Sequence, residues 1–227
     1  MRNYLKPIFV MAALAITMTF AASSARADLL LPGTTIVGPS TSVLVPGTFT
    51  VLATQSTTFN NGALAGTART SVARNNATGL LSFYYQFAST PVTGVTDTVN
   101  SIVAFNFTGF TTDVVQISNG FLLGDGFTAG TIASTSASRS PSGSTVNFNF
   151  AESVFTPGNT SLTLAINTNA TNFTTGNFGV ADGIVQNNPA FAPTAAVPEP
   201  ATMLLLGTGL MGVGATVRRR RKASQNA

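Results

Sequence analysis

Along much of the chain apolar and polar residues alternate with a period of two, the spacing of a strand that buries one face. In 80–88, Leu81, Phe83, Tyr85 and Phe87 share one side, and Ser82, Tyr84 and Gln86 share the other. The run 101–108 sets Val103, Phe105 and Phe107 against Ile102, Ala104, Asn106 and Thr108. In 144–150, Val146, Phe148 and Phe150 alternate with Thr145, Asn147 and Asn149, and in 160–167, Leu162, Leu164 and Ile166 alternate with Ser161, Thr163 and Ala165. One side of each run is expected inward, and the other, rich in hydroxyls and amides, toward water. That is the pattern of half-buried antiparallel sheet. Weaker strands are expected near 49–54, 64–73, 112–118, 131–138 and 177–181.

Turn signals separate these runs at strand-like intervals: Asn60-Asn61-Gly62, Asn75 to Gly79, Ser140 to Gly143, Pro157-Gly158 and Asp182-Gly183. Strong helix formers are scarce, while threonine, serine, asparagine and phenylalanine dominate. The expected fold is all-β, an antiparallel β-sandwich over 28–183 for which a jelly-roll-like arrangement is one form. A solenoid is the competing architecture, but no fixed repeat is found. Residues 28–47, with Pro32, Pro39 and Pro46, read as an irregular lead-in holding at most edge strands. Residues 184–196 lose the alternation and gain Pro189 and Pro193, and read as a linker.

Charge is distributed unevenly. The 227 residues carry a net +4, with no His, Cys or Trp. Yet between 28 and 196 only Arg69, Arg74 and Arg139 stand against Asp28, Asp97, Asp113, Asp125, Glu152 and Asp182. A phosphate-binding face needs clustered cations, so nucleic acid is not an expected partner. The basic residues belong to the two ends.

At the N-terminal end, Arg2 and Lys6 precede an apolar run from Ile8 to Ala22, and Ala25-Arg26-Ala27 puts small residues at both recognition positions of a signal-peptidase site. This predicts a signal peptide over 1–27 and a mature chain starting at Asp28. The run is short for an uncleaved anchor. At the other end, residues 201–217 are without charge and, at about 1.5 Å per residue, reach roughly 25 Å as a helix, enough for a short membrane span. Arg218, Arg219, Arg220, Arg221 and Lys222 follow at once and hold that side in the cytoplasm, with residues 223–227 as a tail. The body then faces outward.

Pro198-Glu199-Pro200, the apolar segment 201–217 and the arginine-rich end stand in one order and spacing over 197–222. The arrangement resembles the PEP-CTERM sorting domain. That resemblance covers the end of the chain and speaks to sorting, not to activity. It implies processing by an exosortase-type membrane enzyme, an inner-membrane-anchored precursor, and delivery to the cell surface or extracellular matrix of a Gram-negative bacterium, with an association to exopolysaccharide. The prolines would hold an extended segment above the membrane for the processing enzyme.

The body offers little catalytic chemistry. Without His or Cys there is no imidazole base, thiol nucleophile or soft-ligand zinc site, and without Lys between 28 and 196 a Ser-Lys scheme fails. The acidic residues are single, with Asp125 and Asp182 beside glycines as turn residues, so no metal or cofactor is expected; a calcium site assembled across loops is the residual alternative. Polysaccharide hydrolysis would need Glu152 paired with an aspartate across a cleft, and nothing singles out a pair. Tyr84 and Tyr85 are the candidate glycan contacts, against the ordinary reading of strand aromatics as core. Asn-x-Ser/Thr triplets start at Asn76, Asn106, Asn159, Asn169 and Asn172, as chance allows in so Asn- and Thr-rich a chain. The expected function is that of an exported, non-enzymatic structural or adhesive protein. A carbohydrate-binding module for exopolysaccharide is the alternative, and a polysaccharide hydrolase ranks third.

Overall fold

The computed structural model describes residues 27–94, 97–182 and 185–195. Three short strands lead in: β1 (Asp28–Leu29), β2 (Thr35–Val37) and β3 (Thr41–Ser42). A long hairpin of β4 (Phe49–Asn60) and β5 (Ala65–Asn75) follows, then β6 (Leu81–Ser89), β7 (Ser101–Phe105) and β8 (Thr112–Ile117). A 3-10 turn at Gly120–Leu123 precedes β9 (Ser136–Arg139), β10 (Thr145–Asn149), β11 (Thr163–Thr168), β12 (Asn172–Ala181) and β13 (Val185–Thr194).

These strands make two sheets. One runs β1-β8-β11-β6-β5-β4, with β3 parallel on β8; the other runs β13-β12-β7-β10-β9-β2, and every other pairing between strands is antiparallel. The inner faces share one core. Leu81, Phe83, Tyr85 and Phe87 of β6 are wholly buried, as their alternation predicts, and meet Phe178 and Val180 of β12 and Phe148 of β10. The Tyr85 and Phe178 rings lie 5.4 Å apart, and Phe83 meets Phe107 edge-on at 5.8 Å. Each such ring removed from water contributes on the order of 2 kcal/mol, which lets the sandwich form without disulfides.

Three expectations are corrected. The linker expected over 184–196 is, from Val185 to Thr194, a full edge strand paired residue for residue with β12. Its prolines fit because an edge strand has one side whose N–H groups need no partner. In 101–108 the inward set is Ile102 and Ala104, with Val103 and Phe105 half-buried outside. Phe107 still reaches the core because Asn106 adopts a left-handed backbone (φ 72°) that breaks the alternation. In 131–138 only Ser136–Arg139 is a strand; Ile132 makes an isolated bridge to Ser161.

The sheet containing β6 is also covered on its outer face. Segment 43–49 and the stretch from Gly120 to Thr131 fold over it, so Tyr84 and Gln86 are buried although they point away from the main core. Gln86 is satisfied there: its Nε2 donates to Thr128 O at 2.9 Å and its Oε1 accepts from Thr128 N at 3.0 Å. Gly130 permits the close approach, since a Cβ at that position would lie 1.7 Å from Ser161 O.

Among the described residues one charged side chain is buried. Arg139, 5% exposed, donates through Nη2 to the carbonyls of Phe107 and Phe110 at 2.9 and 2.8 Å. Its Nε and Nη2 also donate to Gly143 O at 3.2 and 3.1 Å, and Nη1 to Leu30 O at 3.3 Å. A single guanidinium thus ties the lead-in, the β7–β8 turn and the β9–β10 hairpin together through oxygen acceptors rather than a carboxylate.

Candidate functional site

The outer face of the larger sheet carries a groove of about 470 Å³. Register explains its floor. Asn167 of β11 lies opposite Asp113 of β8 on one side and Ser82 of β6 on the other, giving a polar row across three strands. In the next row Tyr84 stands between Ala165 and Ser71, with Val115 beyond Ala165. Alanines at 165 and 73 are too small to fill the space beside the tyrosine, and the hollow results.

The wall is segment 43–49, fastened at both ends by asparagines. Leu44 N donates to Asn119 Oδ1 at 2.6 Å while Asn119 Nδ2 donates to Leu44 O at 2.8 Å. Asn76 Nδ2 donates to Gly47 O at 2.9 Å, and Asn76 N to Thr48 O at 2.9 Å. Leu44 and Phe49 pack inward from this wall, and Val43 and Val45 form an exposed apolar rim.

The polar end holds hydroxyls, amides and one carboxyl. Ser82 Oγ donates to Asn167 Oδ1 at 2.7 Å, and Asn169 Oδ1 accepts from Thr111 N at 3.0 Å. The Asp113 carboxyl makes no hydrogen bond to another described residue, and partial burial raises its affinity for a proton above the ordinary carboxylate range. Among the described residues no cation lines the hollow. The lining thus combines oxygen and amide groups with a phenol ring and aliphatic walls.

The two candidate tyrosines separate here. Tyr84, 5% exposed, is part of the groove floor, and burial raises its phenol pKa against an opposing hydrogen bond from Ser82. Tyr85 faces the other way. It is fully buried between the sheets and its Oη donates to Phe191 O at 2.8 Å, so it offers no surface to a glycan and its assignment as a contact is withdrawn. Adjacent residues of a strand point to opposite faces, and only one of those faces carries the groove.

Asp113, Asn167 and Ser82 escaped the sequence reading because they converge through long-range pairing; Asn167 and Ser82 are 85 residues apart. Glu152 sits in an exposed turn and lines no part of the groove. Asp125 is a turn residue with a left-handed backbone (φ 48°), and its carboxylate accepts from Thr54 Oγ1. Among the described residues no three acidic side chains converge on a point.

Of the expected signal-peptidase site, Ala27 is half-buried beside the groove wall, and Asp28 opens β1, where its Oδ2 accepts from Ser40 N at 2.7 Å. Ala25 lies outside the described residues, as do Pro198, Glu199, Pro200, the expected span 201–217 and the basic residues Arg218 to Lys222. Among the described residues no helix is long and apolar enough to cross a membrane.

Fold and groove together define a β-sandwich with an oxygen-lined hollow on one sheet. The end of the chain says where it goes: residues 196–221 match the family model of the PEP-CTERM protein-sorting motif. The chain therefore carries the signal of an exported protein with a C-terminal membrane anchor, processed by an exosortase-type enzyme and sorted to the cell surface. No curated protein and no solved structure matches it.

Proposed function

We propose that the protein acts structurally or adhesively, without catalysis, at the envelope surface or in the extracellular matrix. The sorting motif at 196–221 carries this reading, since it commits the body to the outside. A body of low charge supports it: a surface built from hydroxyls and amides depends little on salt and suits a hydrated polysaccharide layer. The test is sorting in the producing cell. Changing Pro198-Glu199-Pro200 to alanines is expected to leave the chain membrane-bound and unprocessed, and removing 197–227 to release the body as soluble exported protein. Normal processing of the triple-alanine variant would overturn the assignment.

The groove favours a second reading, the binding of a saccharide unit of that layer. Asp113, Asn167 and Ser82 would take sugar hydroxyls while Tyr84 and the apolar wall take the carbon face. Tyr84→Ala together with Asp113→Asn is expected to abolish retention on the cell's own exopolysaccharide, measured by affinity electrophoresis. Unchanged retention would remove the groove from consideration.

A further inference from the structure

Among the described residues the outer edge of β4 leaves a long run of hydrogen-bonding capacity open. The β4–β5 hairpin is anchored where Asn61 N donates to Leu64 O at 3.1 Å. Stepping back by two from that pair, Phe59, Thr57, Gln55 and Ala53 exchange bonds with β5. The N–H and C=O groups of Thr54, Ser56, Thr58 and Asn60 therefore point away from it. The far side of β5 agrees, because Ala65 O accepts from Thr90 N at 2.9 Å. Among the described residues no strand pairs with the outer side of β4.

The other long edge, β13, is closed. Its ladder with β12 runs unbroken through Pro189 and Pro193, so both prolines occupy positions whose missing N–H would have faced outward. On that same side the carbonyl of Phe191 is taken by Tyr85 Oη, and that of Asn187 accepts from Gln186 Nε2 at 3.2 Å. The contrast with β4 is sharp: Phe49–Asn60 contains no proline and no charged residue.

We propose that β4 pairs antiparallel with β4 of a second copy of this chain. In a strand that meets itself across a two-fold axis, charges close to the axis lie near their own copies, so an uncharged centre favours self-pairing. A foreign strand has no such preference and would more naturally be selected by complementary charge, which β4 lacks. A register centred on Thr57 puts Ser56 opposite Thr58 and Thr54 opposite Asn60, each with outward backbone groups. Such hydroxyl pairing already exists on the inner flank of β4, where Thr58 Oγ1 and Thr67 Oγ1 are 3.1 Å apart. The template is held firmly, since Phe59 stacks on Phe87 of the core at 5.5 Å. The irregularity between Val51 and Ala53 marks where the pairable segment ends. This assembly is independent of what the groove binds.

The chain has no cysteine, so a single introduced thiol can form a disulfide only between copies. In the proposed register Thr57 faces its symmetry mate as a non-hydrogen-bonded pair at about 4.5 Å between Cα atoms, within disulfide reach. In the full chain purified in detergent and oxidised with copper phenanthroline, Thr57→Cys is expected to cross-link at least ten times more than Thr175→Cys, a control exposed on β12. Adding Ser56→Pro, which removes an outward N–H without touching the β5 ladder, is expected to lower the yield at least tenfold. Adding Thr58→Lys, which sets like charges across the axis without altering the backbone, is expected to do the same. Cross-linking of Thr57→Cys no greater than the control, or a yield that neither added substitution lowers, would overturn the proposal.

Discussion

Arg139 is the residue on which several loops depend at once. Replacing it with methionine keeps much of the stem's packing but leaves the carbonyls of Leu30, Phe107, Phe110 and Gly143 without its donors. Leu30 O and Phe107 O keep Thr112 Oγ1 and Phe110 N as donors, so the acceptors stranded are Phe110 O and Gly143 O, and at about 1 kcal/mol each the expected loss is roughly 2 kcal/mol by urea denaturation. Arg139→Lys is expected to recover less than half, because an ammonium cannot span the fork. Tyr85 gives a pH signature. Burial holds its phenol protonated far above the usual tyrosine range. Below the unfolded value of about 10 its contribution is fully present; above it the unfolded chain sheds a proton that the folded chain keeps, and stability falls. The urea midpoint is expected to decline from about pH 10 upward, and less steeply in Tyr85→Phe, which at neutral pH loses the bond to Phe191 O, about 1 kcal/mol. The sequence showed Tyr84 and Tyr85 on opposite faces of one strand. It did not show which face had a groove, because that depends on what segment 43–49 covers.

Among the elements, β13 separates pattern from context. Two prolines and a run of small residues read as linker, and the same residues in the structure close one side of the sandwich, with Ala190 in the core and Phe191 edge-on to Phe173. Ending the chain at 184 is expected to yield an unfolded, protease-sensitive product, whereas ending it at 196 leaves a protease-resistant body. Limited proteolysis with circular dichroism distinguishes the two. If both truncations resist proteolysis equally, β13 is dispensable and the linker reading returns. The hairpin of β4 and β5 was the opposite case. Its turn at Asn60-Asn61-Gly62 and its strands were visible in the sequence, though β4 extends to Asn60 rather than ending near 54.

For the whole molecule the C-terminal motif governs location and the sandwich governs what is presented there. The exported chain is expected to begin at Asp28, as mass spectrometry of the surface-localised protein would show, and a start elsewhere would displace the signal-peptidase site. In the folded body Ala27 is half-buried and Asp28 is paired with Val114. Cleavage there is expected to precede the docking of β1 on β8, so a variant slowed in processing is expected to fold slowly at that edge, read by hydrogen exchange of the first ten residues.

What the amino-acid order determined alone is what local chemistry can encode: the period of two that makes strands, the turn residues between them, and the ordered proline, apolar and arginine segments that address the chain. The tertiary structure decided whatever depends on a partner distant in the chain. It made an edge strand of a proline-bearing segment, buried the second face of β6, gathered Asp113, Asn167 and Ser82 into one row, and set a lone arginine among carbonyls. Hydrophobic period tells a strand which of its sides differ. Only sheet order and register fix what lies against each side, because those are set by the joint packing of all the strands.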